Sequence, residues 1–191
     1  SPIIFSIRIL NSKEDPKRFK EKLCIYSKKN NLKSIWFHAV SVGELMSIIP
    51  ILKILEKNRK IDQIIVTTST ISSAKIFEKQ KFKNIVHKYF PIDTNFLNKK
   101  FIKYWKPQAA FFVDSEIWPN MFRNLKKNNI PVILLNGRIT KKSFERWSLF
   151  KNFSKSVFKN ISLALPSNSE TKNFLKKLGV NKIKLIGNLK Y

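Results

Sequence analysis

Cysteine, histidine, glycine and acidic side chains are all scarce in this chain, and each scarcity narrows what it can be. Cys24 is the only cysteine among 191 residues, so no internal disulfide staples the fold. With only two histidines, His38 and His87, a Cys/His zinc site has almost nothing to be built from. The four glycines are scattered, and no stretch reads GxxxxGK[ST] or GxGxxG, so the common phosphate-cradling loops are absent. No apolar run approaches the roughly 18–20 residues that span a bilayer. Acidic residues number 12 against 38 Lys+Arg, for a formal net charge of +26.

That charge is mostly lysine, with arginine at only six positions, and it is spread over every segment. Readers of phosphate and nucleic acid favour arginine, whose planar fork binds phosphate through two hydrogen bonds. Lysine together with abundant Ile, Asn and Phe is also what A/T-rich coding produces. The excess therefore reads equally as a solvated surface or as a match to an anionic partner, with an acidic membrane surface fitting as well as nucleic acid. Hydrophobic residues make up 43% and aromatics 13%, enough for a packed core.

After a polar, lysine-rich stretch over 11–33, short β-branched or aromatic runs alternate with amphipathic segments. Strands are expected over 35–38, 64–67, 85–90, 109–113, 132–135, 161–165 and 183–186. The spacing predicts helices over 42–58, 72–81, 96–105, 119–127, 141–158 (with a break near Asn152) and 169–178. About seven apolar strands alternating with helices argue for one doubly wound α/β domain, a Rossmann-like parallel sheet with helices on both faces. Chemistry in such folds gathers in the loops at the carboxyl ends of the strands.

The first of these loops is His38-Ala39-Val40-Ser41-Val42-Gly43-Glu44. Glu44 falls in the first turn of the next helix, where the helix dipole favours a carboxylate; it reads as a helix-start residue or as a base facing the cleft. After the fourth strand comes Asp114-Ser115-Glu116-Ile117-Trp118-Pro119-Asn120. Two carboxylates one residue apart in an acid-poor chain are notable; the plainer reading is a helix-capping pair. If the first and fourth strands are neighbours, Glu44 faces Asp114 and Glu116 across one cleft, a base with charge stabilisation beside it. Asn136-Gly137-Arg138 ends the fifth strand, and Ser167-Asn168-Ser169-Glu170 reads as a helix N-cap. Gly187-Asn188-Leu189-Lys190 ends the last strand and sets a lysine where a phosphate or a departing anion would lie; taken singly, each of these three loops reads first as structural. His38 is a cleft candidate, whereas His87, inside a strand, reads as packing or surface.

The strings HAVSVGE, DSEIWPN, NGR and GNLK, in this order and with Leu178-Gly179 before the last strand, resemble the 3-deoxy-D-manno-octulosonic acid (Kdo) transferases of glycosyltransferase family 30. The resemblance covers roughly residues 35–191. It implies the N-terminal half of a GT-B glycosyltransferase, with residues 34–191 as its acceptor-side Rossmann-like domain and a donor domain beyond them. Residues 1–33, including Glu14-Asp15-Pro16-Lys17-Arg18-Phe19, resemble the basic membrane-proximal segment that follows the family's N-terminal anchor. The family transfers Kdo from CMP-Kdo to the tetraacyldisaccharide lipid A precursor at the cytoplasmic face of the inner membrane. By that resemblance Glu44 is the proton acceptor, Asp114 and Lys190 stabilise the transition state, and Glu116 is a second candidate for the acidic role. Ser41, Gly43, Arg138 and Asn188 are implied in substrate binding. No metal and no cofactor is implied; the expected partners are CMP-Kdo, the lipid A precursor and an anionic membrane surface, with no nucleic acid. The chain departs from the family where Asp114 replaces the usual Glu, Gly137 a common Ala, and Leu165-Pro166-Ser167 a segment usually carrying Gln. The competing readings are another GT-B nucleotide-sugar enzyme and a non-catalytic basic module that binds nucleic acid or anionic lipid.

Overall fold

The computed structural model describes residues 15–26 and 31–189, so the apolar stretch over 2–10, much of the basic segment and Lys190 lie outside the described residues. Strands and helices alternate as β1 (Ser34–His38), α1 (Val42–Glu56), β2 (Gln63–Thr68), α2 (Ile71–Lys79), β3 (Ile85–Tyr89), α3 (Asn95–Trp105), β4 (Pro107–Val113), α4 (Pro119–Lys127), β5 (Val132–Gly137), α5 (Lys141–Leu149), α6 (Lys151–Phe158), β6 (Leu163–Pro166) and α7 (Ser169–Leu178). Most helices start where a short polar side chain can replace the first missing backbone acceptor. Ser41, Thr70, Thr94, Thr140 and Asn168 each cap the helix that follows, with Asn168 Oδ1 accepting from the Thr171 N–H at 2.8 Å. Among the described residues no helix is long and apolar enough to cross a membrane.

All strands are parallel, in the order β3-β2-β1-β4-β5-β6. The order reverses between β1 and β4, which makes their carboxyl ends the switch point where such sheets bind ligands. Side chains alternate across the sheet, and the two faces have separate cores. On one, Phe37, Ile64 and Val66 meet Leu45, Ile48 and Leu52 of α1 and Phe77 of α2. On the other, Trp36, Phe112 and Leu134 meet α3, α4, α6 and α7 through Phe101, Phe122, Phe158 and Leu175. Trp36 lies 4.7 Å from Phe101 and 5.1 Å from Phe112 between ring centroids, and each such pair adds about 0.5–1.5 kcal/mol beyond simple burial. This rigid layer lies directly under the loops at the switch point.

The break expected near Asn152 within 141–158 is present, with two helices meeting at Phe150 (φ −114°, ψ 60°). One expectation needs correction. The strand expected over 183–186 is a single bridge between Ile183 and Ala164. Ala164 donates to Lys182 O and accepts from Lys184 N, each at 2.9 Å, but the next donor along β6 would be Pro166, which has no N–H. Beyond the bridge only a long contact remains, from the Ile186 N–H to Pro166 O at 3.5 Å, and the sheet has six strands instead of about seven.

Residues 15–26 pack along the β3 edge. Their 3-10 turn, Phe19–Leu23, sets Glu21 to accept from the Tyr89 N–H at 3.0 Å, which occupies an edge-strand donor. Cys24 is buried, and Tyr26 packs 4.5 Å from Tyr104 and 5.4 Å from Trp105.

Candidate active site

At the end of β1 the backbone continues through buried Ala39, whose N–H donates to Thr67 O at 3.0 Å, and turns at Ser41 into α1. Ser41 and Glu44 grip each other as a variant of the capping box. Ser41 Oγ accepts from the Glu44 N–H at 3.3 Å and donates to Glu44 Oε1 at 2.9 Å. Glu44 Oε2 accepts from the Val40 N–H at 2.8 Å. Both carboxylate oxygens are thus fixed, and Glu44 serves the helix start while it faces the switch point. Gly43 is exposed beside it in the first turn of α1.

Asp114, directly after β4, adopts a left-handed backbone with φ +61°. That conformation is uncommon for a residue with a side chain, though Asp tolerates it better than most. Its N–H donates to Leu135 O at 3.0 Å, and its carbonyl accepts from the Arg138 N–H at 3.3 Å. The Ser115 hydroxyl adds a link across the same loops, 2.6 Å from Arg138 O. The turn therefore swings the chain away from β4 and aims Glu116 back at the core. Glu116 Oε2 accepts from the Trp118 indole N–H at 2.9 Å and lies 3.7 Å from His38 Nε2.

The reading of Asp114 and Glu116 as caps for α4 does not hold. Trp118 is the N-cap residue and makes no side-chain cap, and the work falls to Asp93. Asp93 accepts from the Met121 N–H at 2.8 Å and the Asn120 N–H at 3.2 Å, and also from Asn98 Nδ2 at 2.6 Å. The sequence carries no mark for this contact, since Asp93 lies in a different loop. Asn136, at the end of β5, was likewise overshadowed by Arg138. It is fully buried with φ +53°, and its Oδ1 accepts from the Leu189 N–H at 3.1 Å. That hook ties the GNLK loop to the cleft at the residue before Lys190. Arg138 is exposed, and Asn188 is half-buried after Gly187.

Burial pushes the Glu44 carboxyl above its ordinary value. The Val40 N–H and Ser41 hydroxyl pull it down, and the charges of Glu116 and Asp114 push it up again. The three acids therefore share one electrostatic environment, as their placement on neighbouring strands anticipates. Burial lowers the His38 imidazole, with Glu116 opposing the shift, so His38 is neutral and fully buried behind the cleft instead of lining it. Among the described residues no three His, Cys, Asp or Glu side chains come together as metal ligands. A hollow of about 640 Å³ lies at the other end of the sheet, beside Lys33 and Lys106, away from these carboxylates.

A family model described as 3-deoxy-D-manno-octulosonic-acid transferase (kdotransferase) matches residues 17–191. The 3-deoxy-D-manno-octulosonic acid transferase of Rickettsia bellii is 34% identical over 190 residues, covering 99% of this chain and 45% of that protein. The Haemophilus influenzae enzyme of the same name is 29% identical over 159 residues, covering 82% and 37%. The chain spans less than half the length of these curated relatives. Among solved structures, the UDP-GlcNAc 2-epimerase of Neisseria meningitidis bound to UDP-GlcNAc aligns with a TM-score of 0.58 at 11% identity, covering 83% of this chain and 47% of that one. The MnaA–UDP structure from S. aureus aligns with a TM-score of 0.60 at 14% identity, covering 83% and 45%. At such identities the likeness shows the fold alone, a Rossmann-like half of the GT-B architecture.

Proposed function

The chain belongs to the 3-deoxy-D-manno-octulosonic acid (Kdo) transferase family, and from that membership we propose that it forms the acceptor-side half of an enzyme that moves Kdo from CMP-Kdo to a lipid A precursor. The observation that carries the reading is Glu44, anchored at the carboxyl end of β1 within the field of Asp114 and Glu116 from β4. In the transfer, an acceptor hydroxyl oxygen bonds to the anomeric carbon of Kdo as the bond to the CMP phosphate breaks. The bonding pair leaves with CMP, and the hydroxyl proton passes to Glu44. A base is most effective when its proton affinity is raised toward the working pH, which is what burial and two neighbouring acids do here. Positive charge building on the anomeric carbon is stabilised by carboxylates, the role proposed for Asp114 with Glu116 as the second candidate. Lys190 is proposed to meet the departing phosphate. Ser41, Gly43, Arg138 and Asn188 are proposed to contact substrate.

The acceptor places the enzyme at a membrane, proposed as the cytoplasmic face of the inner membrane. What supports contact with an anionic surface is the bend between α5 and α6. Leu149, Phe150 and Phe153 are 78%, 69% and 47% exposed there, between Lys141, Lys142, Arg146, Lys151 and Lys155. Each cation near an anionic surface contributes about 1 kcal/mol, screened by salt. Co-sedimentation with phosphatidylglycerol vesicles should weaken as salt rises; salt-insensitive binding to neutral vesicles overturns this part.

The deciding experiment is Glu44→Gln in the full-length protein, read by CMP release from CMP-Kdo. Transfer should fall about 10²–10⁴-fold, the usual cost of losing a general base, with folding and donor binding retained. Near-normal turnover removes Glu44 from the mechanism.

A further inference from the structure

His38 is fully buried, and its Nε2 has no hydrogen-bond partner even though it faces Glu116 Oε2 at 3.7 Å. The ring is gripped on every other side. It stacks 3.9 Å from Phe90 between centroids and meets the edges of Phe112 and Trp118 at 5.6 and 5.9 Å. Its Nδ1 lies 2.9 Å from Thr67 Oγ1 and 3.2 Å from Thr67 O.

The surrounding donors decide which nitrogen carries the proton. Trp36 Nε1–H donates to Thr67 Oγ1 at 2.9 Å, so the Thr67 hydroxyl must send its own hydrogen elsewhere. Its choices are Phe37 O at 3.4 Å and His38 Nδ1 at 2.9 Å. Thr67 O accepts the Ala39 N–H and has a second lone pair that an Nδ1 proton would reach at 3.2 Å. With the proton on Nδ1, the Thr67 hydroxyl keeps only the long contact, and the bare Nε2 lone pair confronts a carboxylate. With the proton on Nε2, the donors run in one direction: Trp36 to Thr67, Thr67 to His38, His38 to Glu116. This arrangement gives the Thr67 hydroxyl its short partner and turns an N–H toward the carboxylate, and it leaves Nδ1 beside Thr67 O at 3.2 Å as its one opposed pair.

We propose that His38 is a positioning residue, held as the Nε2–H tautomer by Thr67, whose outer N–H together with the Trp118 indole orients the Glu116 side chain at the switch point it shares with Glu44. The proposal rests on the reading of Glu44 as the base, because its consequence for transfer runs through that group. His38 touches no reacting atom. It acts through Glu116, whose charge is one of the influences that make Glu44 a stronger base. A movement of less than 1 Å in the Glu116 side chain would close the contact to hydrogen-bond length.

Two measurements test it separately from the transferase reading. The first uses ¹⁵N-labelled histidine in the unsubstituted protein, where only His38 and His87 contribute signals from this chain and His87→Gln assigns them. A protonated Nε2 and an unprotonated Nδ1 on His38 are expected, and the opposite tautomer overturns the proposal whatever the enzyme transfers. The second compares His38→Gln, whose side-chain amide keeps a donor near the Nε2 position, with His38→Phe, which keeps the ring without it. In the full-length enzyme His38→Phe should lower kcat by up to about 10²-fold, the scale of a misplaced group near the chemistry, with KM little changed. His38→Gln should recover most of that loss. Equal kcat in both variants, or a loss confined to KM, overturns the positioning role. Activity retained by Glu44→Gln would instead refute the base reading and leave the tautomer result to decide the His38 contact.

Discussion

Glu21 and Glu44 are both half-withdrawn carboxylates beside parallel strands, yet the chain treats them in opposite ways. At the β3 edge, Glu21 is neutralised twice, by Arg18 at 3.1 Å and Lys88 at 3.0 Å, and it also accepts the Tyr89 N–H. At the switch point, Glu44 is held by a backbone amide and a hydroxyl, and Glu116 by an indole, with His38 Nε2 at 3.7 Å. Among the described residues neither forms an ion pair with a lysine or arginine. In a chain with 38 cations and 12 anions, pairing every acid would be easy. Burying an acid beside further acids, with no cation to neutralise it, raises its affinity for a proton against the pull of the neutral donors, which is useful for accepting one and useless for stability. The paired acid builds the fold; the unneutralised ones are those to which the proposed mechanism gives the chemistry.

The sharpest way to break this contrast is to neutralise each side. Glu44→Gln should cost about 10²–10⁴ in transfer rate, whereas Glu21→Gln should leave the rate unchanged; matching losses would erase the distinction. Next in size, Asp114→Asn should lower turnover by more than about tenfold with little change in acceptor affinity. Glu116→Gln removes a negative neighbour that raises the Glu44 carboxyl, so the acid limb of its pH–rate profile should move to lower pH. An unmoved limb would take Glu116 out of the field of the base, and equal, mild rate losses from both variants would deny either a special role.

The structural region should respond to acid. His87 is pushed down to about 3 by burial first and then by Arg18 and Lys88, so it is neutral when folded. The unfolded chain takes up that proton near pH 6.5 and the folded one only near 3, so stability should fall as pH drops between those values. The slope is at most about 1.4 kcal/mol per pH unit, and His87→Gln should flatten it in urea titrations. Smallest of all, Glu21→Gln should lower unfolding stability by about 1 kcal/mol, since Arg18 and Lys88 remain about a quarter exposed and solvent screens their loss. A loss several times larger would mean that the edge is held by this one group.

Much of this was legible in advance. Alternation of short apolar runs with amphipathic segments located every strand of the sheet, and HAVSVGE with DSEIWPN marked the two loops that meet at the switch point. The family resemblance stands on those same strings. The misreadings have local causes. The last strand looked complete because it opens and closes on the β-branched Ile183 and Ile186, and the proline that interrupts its pairing lies on its neighbour. His38 looked like a cleft residue because it adjoins the loop, although alternation along β1 turns it into the Trp36 face of the sheet.

What the chain determined by itself is what short-range periodicity and capping can encode: the order of elements, their amphipathic faces, and the polar residues that open most helices. The tertiary structure decided the partners. Glu21 finds Lys88, Asp93 caps α4, Asn136 hooks Leu189, and His38 reaches Glu116 only after the crossover sets β1 against β4. Each pairing joins residues far apart in sequence. A carboxylate's proton affinity depends on which charges and donors surround it in space, so whether a given acid serves the fold or the chemistry is settled only when the sheet closes.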